Sequence, residues 1–313
     1  MSDHASDRRY VVTGAAGFLG SHLCEALLRQ GHRVIGIDDL SSGRSSNLAS
    51  FARHPSFSFH EADVLDGIPV HGPVEGVFHL ISPTPTALCT GGGTDRLPPL
   101  PTGIEVAAEL ARRRRARLLL VACAGEEYED PFDTTAHPSG SASPLDDPGV
   151  DEIDDVRVAR LFHAYGPRMG PEDEPVLMRL MLQALTGQPM AVAGDGTQTR
   201  SFCFVSDLIN GMLRLFRSNL VGRVVDLGDP VGQRVDDVVG AIQHATGCGV
   251  PVEHRPARSD GTRPLLPDLS QATERLGWAP RVPLGAGIAT TAQWLRGELG
   301  PTVGHRSAAL RSA

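Results

Sequence analysis

Lysine is missing from this 313-residue chain: all 29 basic residues are arginine. Any mechanism that needs a lysine is thereby excluded. Tyrosine is nearly as scarce, at Tyr10, Tyr128 and Tyr165 alone. The five cysteines (Cys24, Cys89, Cys123, Cys203, Cys248) are scattered, odd in number and without a C-x-x-C pair. That argues against a disulfide scaffold or a zinc site and fits a reducing cytoplasm. Long apolar runs are absent too. The longest clean one, 118–125, has eight residues, against the about 20 a membrane span needs. No apolar stretch precedes the first strand, so no secretory signal is expected. Positive charge is in deficit: 29 basic against 37 acidic residues leave −8, so nucleic acid is not an expected partner. The four arginines at 112–115 close a predicted helix, where cations complement the helix dipole.

What remains is a globular composition, 41% apolar and 21% charged, with length for about two domains. Residues 9–14 read as a short buried strand. A helix follows from Phe18, with Leu19, Leu23, Ala26 and Leu27 on one face, and Gly31 ends it. Further strands are expected at 34–37, 57–60, 76–81, 117–124 and 156–162, with a helix over 102–115. Strand–helix alternation with short joints predicts an α/β fold: a Rossmann-type doubly wound parallel sheet, with a smaller C-terminal α/β lobe. The expected division is a cofactor domain over 1–165 to which some later strands return, a lobe over 166–300 and a flexible tail over 301–313. The stretches 83–101 and 125–155 read as long loops, which in a compact domain usually carry function.

The clearest motif is Gly14-Ala-Ala-Gly17-Phe-Leu-Gly20, directly after a strand and opening a helix. Gly14 allows the tight turn, Gly17 lets backbone N–H groups approach a pyrophosphate, and Gly20 permits close helix–sheet packing. The helix N-terminus then meets the phosphates with its positive end. Asp38 closes the second strand, 24 positions after Gly14, where a carboxylate accepts hydrogen bonds from ribose hydroxyls. With Asp39 it would repel a 2′-phosphate, so NAD is expected rather than NADP. The expected cofactor contacts are Gly14, Ala16, Gly17, Phe18, Leu19, Gly20, Asp38, Asp39, Ser42, Gly43, Asp63, Val64, Leu80 and Ser82.

With these residues in view, the chain resembles extended short-chain dehydrogenases/reductases of the NAD-dependent epimerase/dehydratase type, and within them the UDP-glucuronate decarboxylases. The resemblance spans about 9–299. It rests on IDDLSSGRSSNL (37–48), FHLISP (78–83), VRVARLFHAYGPRM (156–169), GDGTQTRSFCFVSDLINGM (194–212) and PDLSQATERLGWAPRVPL (267–284). It implies a nucleotide-sugar substrate, with Arg200 and Arg263 on the diphosphate, where a guanidinium fork suits phosphate oxygens. Gln198 lies near the nucleotide and His163 near the sugar by the same resemblance. Two departures stand out: His163 replaces the family's asparagine, and Ala193 replaces an aromatic residue ahead of the GDG turn.

The resemblance also implies a transient oxidation at C4 of the sugar, in which a tyrosinate takes the hydroxyl proton. The tyrosine belongs to a Tyr-x-x-x-Lys pair whose lysine depresses its pKa. This chain cannot contain that pair, and the segment that should carry it, 131–155, has no helical period. The candidates for substitute proton chemistry are Cys123, Glu126 and Tyr128 at the end of the fifth strand, with Glu127, His79 and His163 as further options. The expected function is therefore UDP-glucuronate decarboxylation with atypical or impaired catalysis. The alternatives are a catalytically dead NAD/UDP-sugar-binding protein, a partner of an active relative, and a nucleotide-sugar 4-epimerase or 4,6-dehydratase. A Ser/His/Asp hydrolase is not expected, because no nucleophile-elbow motif is present. The usual homodimer of the resembling enzymes, a four-helix bundle using the Tyr-Lys helix, is not expected either. In its place stand a monomer, another contact face, or a relative that supplies the helix.

Overall fold

The computed structural model describes residues 8–80, 103–124, 153–170, 175–256 and 266–300. In chain order its elements are β1 (Arg9–Thr13), α1 (Phe18–Arg29), β2 (Arg33–Asp38), β3 (Phe57–Glu61), β4 (Gly76–His79), α2 (Ile104–Arg114), β5 (Arg117–Cys123), β6 (Val156–Leu161) and β7 (Ala164–Tyr165). There follow α3 (Pro175–Thr186), β8 (Met190–Ala193), β9 (Thr199–Arg200), β10 (Cys203–Phe204), α4 (Val205–Arg217), β11 (Val224–Leu227), β12 (Gln233–Arg234), α5 (Val235–Thr246), β13 (Val252–Arg255), α6 (Ser270–Leu276) and α7 (Leu284–Leu299).

Seven strands form one sheet in the order β11-β6-β5-β4-β1-β2-β3, and every pairing within it is parallel. Strands covered on both faces read as continuous apolar runs rather than alternating ones, as in the buried Tyr10, Val11 and Val12 of β1 and Leu118, Leu119 and Leu120 of β5. On one face α1 and α4 bury Leu23, Leu27, Met212 and Phe216 against Tyr10, Phe78 and Leu119. Phe216 stacks on Phe78 with ring centroids 4.4 Å apart. On the other face α2 packs Ala107, Ala108, Leu110 and Ala111 against Val77, Leu118 and Leu120. The stripe of Ile104, Val106 and Leu110 that the pattern of α2 presents is thus largely covered: Leu110 is buried and the other two are half-buried.

The chain runs outward from β1 in both directions, so the strand order reverses between β1 and β4. That is the switch point at which doubly wound sheets take ligands, beyond the carboxyl ends of the strands. The later chain does not separate cleanly at residue 166. α4 packs on α1, and β11 adds the seventh strand beside β6. The smaller lobe is built from α3, α5 and α7, packed in that order, with the parallel pair β8–β13. Two further short pairs, β7–β10 parallel and β9–β12 antiparallel, complete the pairings among the described residues.

Candidate active site

The turn between β1 and α1 is shaped by its glycines. Gly14 sits at φ +69°, a left-handed conformation that L side chains rarely adopt. A Cβ on Gly20 would fall on the Gly14 carbonyl, so only glycine lets the first turn of α1 pass this close to β1. Gly17 is the N-cap of α1. It provides no side-chain cap, and the first turn carries no acidic residue. The backbone N–H groups of Phe18, Leu19 and Gly20 open the helix, where an α-helix has no intrahelical acceptors to offer. Such an end suits an anionic phosphate.

Asp38, the last residue of β2, is buried. Its Oδ2 accepts the Ala16 N–H (2.9 Å) and its Oδ1 the Leu40 N–H (2.9 Å). Burial raises its pKa above the ordinary carboxylate value. The N–H groups of Leu40, Ala16 and Gly17 pull the other way. Gly43 packs directly against this carboxylate, leaving no room for a side chain. Asp39 Oδ1 accepts the Ser41 N–H (3.0 Å) and the Ser41 hydroxyl (2.7 Å), closing its own turn. Ser42 is exposed beside it. Asp63 is exposed and caps the short 3-10 turn Val64–Asp66 through the Leu65 N–H (2.9 Å), while Val64 is buried against Gly103 at the start of α2. Leu80 donates its N–H to the Thr13 carbonyl (3.3 Å), which places it at the switch point. Ser82 lies outside the described residues.

On the substrate side, Arg200 is half-buried in β9, opposite Gln233 of β12. Gln198 Nε2 donates to the Ala193 carbonyl (2.6 Å), bracing the turn 194–197 that leads into β9. His163 has φ +21°. Histidine and asparagine both tolerate positive φ better than most residues, which is a backbone reason for either type here. Its ring stands 5.6 Å from that of Phe202, and its carbonyl accepts the Cys203 N–H (3.0 Å). Arg263 lies outside the described residues.

Two of the three tyrosines and two of the proton-transfer candidates fall among the strands just described. Tyr165 is buried, donates to the Leu284 carbonyl (3.3 Å), and has a hydroxyl pushed well up by burial. Tyr10 is likewise buried and raised. Burial opposes the tyrosinate form at both positions. His79 is buried and holds Thr13 Oγ1 through Nδ1 (2.8 Å), tying β4 to β1. Cys123 ends β5 opposite Leu161. Glu126, Glu127 and Tyr128 lie outside the described residues. Among the described residues no cluster of His, Cys, Asp or Glu could hold a metal ion, and no helix is long and apolar enough to cross a membrane. Thr13, Arg44, Asn47 and Arg168 are structural neighbours of the site that the spacing of motifs does not reveal.

A glycine-rich turn and a strand-end acid at the switch point of a doubly wound sheet define a dinucleotide-binding architecture. The model of the NAD dependent epimerase/dehydratase family matches residues 10–84 and 154–228, on either side of the stretch where Tyr-x-x-x-Lys would fall. UDP-glucuronic acid decarboxylase 1 of Xenopus tropicalis is 34% identical, covering 93% of this chain and 73% of that protein. UDP-glucuronic acid decarboxylase 6 of Arabidopsis thaliana is 31% identical, covering 94% and 91%. The chain belongs to the NAD-dependent epimerase/dehydratase family. Among solved structures, the UDP-glucose 4-epimerase of Thermotoga maritima with UDP-glucose superposes with a TM-score of 0.76 at 25% identity, covering 93% of this chain and 100% of that one. The dTDP-glucose 4,6-dehydratase of Bacillus anthracis in complex with NAD shares the fold, with a TM-score of 0.71 at 20% identity over 95% of this chain and 98% of that one.

Proposed function

We propose that this protein binds NAD and a UDP-sugar and acts on UDP-glucuronate, releasing the C6 carboxylate as CO2. The near full-length likeness to UDP-glucuronic acid decarboxylases carries the reading. The glycine turn fits NAD: the crowding at Gly20 and the uncapped start of α1 leave backbone donors for a pyrophosphate. Asp38 would accept the adenosine ribose hydroxyls with lone pairs left over from Ala16 and Leu40. Arg200 would take the diphosphate of the sugar nucleotide. When bound, NAD would supply the hydride acceptor for oxidation at C4, which makes feasible the loss of the C6 carboxylate, now β to the ketone. The chain's own part is to hold the sugar in place and to remove the C4 hydroxyl proton.

One observation favours a second reading, binding without turnover: a chain with no lysine cannot pair a tyrosinate with an ammonium. Glu126, Tyr128 and Cys123 are the candidates for a replacement. Both readings meet in one experiment, incubation with UDP-glucuronate and NAD followed by product mass and absorbance at 340 nm. Release of CO2 with a pentose nucleotide as product supports the decarboxylase. Tight binding with unchanged substrate supports the second reading. Turnover is expected below about 1 per second, the low end for ordinary enzymes. Should it exceed that, Tyr128→Phe, Glu126→Gln and Cys123→Ser are the variants that locate the base.

A further inference from the structure

Ala16, in the middle of the glycine turn, is held at both backbone polar atoms. Its N–H donates to Asp38 Oδ2 at 2.9 Å. Its carbonyl accepts from Asn47 Nδ2 at 2.9 Å and from the Arg44 N–H at 3.0 Å. Every holder comes from the segment 38–47 that follows β2. Asn47 is buried, 6% exposed, and its Nδ2 also reaches the Arg168 carbonyl at 3.4 Å. Arg44 Nη2 donates to that same carbonyl at 3.2 Å. Arg168 is a non-glycine residue at φ +69°. Its guanidinium is fixed by Glu25 (2.6 Å) and Ser50 (3.1 Å) and lies 5.8 Å from the Phe51 ring.

The two restraints on Ala16 act on different peptide planes. Asp38 orients the peptide between residues 15 and 16. The Ala16 carbonyl belongs to the next plane, whose N–H is that of Gly17. Because a trans peptide is rigid and planar, holding its carbonyl also fixes its N–H. Gly17 is the N-cap of α1; its N–H turns back to the Gly14 carbonyl at 3.2 Å, and it has no side chain to cap the helix. Glycine backbones are costly to order, and an ordering cost removed before binding appears as affinity.

We infer that Asn47 is a positioning residue for the cofactor pyrophosphate: it fixes the 16–17 peptide and so the phosphate-facing start of α1, without touching the phosphates. This rests on the reading that the chain binds NAD. The test is calorimetric titration of the wild type, Asn47→Ala and Asn47→Ser with NAD, ADP-ribose and adenosine, with UDP as a control. In both variants NAD and ADP-ribose are expected to weaken at least tenfold. Adenosine, which has no phosphate, and UDP should each stay within twofold. A variant that binds NAD within twofold of wild type overturns the inference. So does an equal loss for adenosine, which would make Asn47 a wall of the nucleoside pocket, and so does failure of both variants to fold. A wild type that binds no NAD fails the cofactor reading itself, a result distinct from the other three.

Discussion

At the scale of single residues, the proposed NAD reading gives Asp38 the choice of dinucleotide. Its carboxylate is buried and held by two backbone N–H groups. A 2′-phosphate there would meet a negative charge in a poorly hydrated place, with Asp39 adding to the field one residue on. NAD should bind more tightly than NADP by well over tenfold, and a tenfold ratio is only about 1.4 kcal/mol. Calorimetry giving equal affinities would remove Asp38 from this role, and Asp38→Ala should narrow the gap. In the proposed function Arg200 would be the matching residue on the substrate side. Arg200→Ala should weaken UDP by about 1.5–3 kcal/mol, the range for hydrogen bonds to charged groups. A variant that binds UDP like the wild type would place the diphosphate elsewhere.

At the scale of elements, α1 is joined to the turn after β7 by His22, whose Nε2 donates to the Pro167 carbonyl at 2.8 Å. Burial is the largest influence on its imidazole and lowers the pKa to about 4, with nearby Arg168 acting in the same direction. A histidine that is neutral in the fold but titrates near 6.5 when unfolded stabilises the protein above that pH. The stability is lost as pH falls from about 6.5 toward 4. The loss should approach about 3 kcal/mol by pH 4. Urea unfolding of wild type and His22→Gln across this range measures it. The two curves should converge as the pH falls, and a constant difference would rule the titration out. The elements themselves were unequally legible. β1, the glycine turn, α1 and Asp38 follow from local spacing. The pairs β7–β10 and β9–β12 have two residues per strand, too few to show any period, and exist only because distant segments meet. The same holds for Asn47, which reaches Arg168 across 121 positions. In a linear reading it is one polar residue in a polar loop. The turn-bracing hydrogen bonds of Gln198 and Asp39 are likewise not marked by any spacing.

At the scale of the whole molecule, the question is whether α2 can seat a second copy. Its apolar residues face inward: Ala107, Ala108, Leu110 and Ala111 are buried, and Ile104 and Val106 are half-buried. The residues exposed on the helix are Glu105, Arg112 and Arg113, with Arg115 just beyond it. Glu109 already pairs with Arg112 at 2.7 Å and with Arg113. Charged residues are depleted from the cores of protein interfaces, because removing them from water without new partners is costly. Docking a copy on this face would desolvate three or four guanidinium groups whose one intrahelical carboxylate is shared. A helical bundle centred on α2 is therefore not the expected assembly. Light scattering at micromolar concentration should give a monomer, or a dimer whose crosslinks avoid 104–114. Adding salt should leave the mass unchanged, since no exposed charge pair would be holding two copies together. A dimer crosslinked through residues of α2 on both copies would refute this. It would mean that some other part of the chain covers or neutralises the arginines.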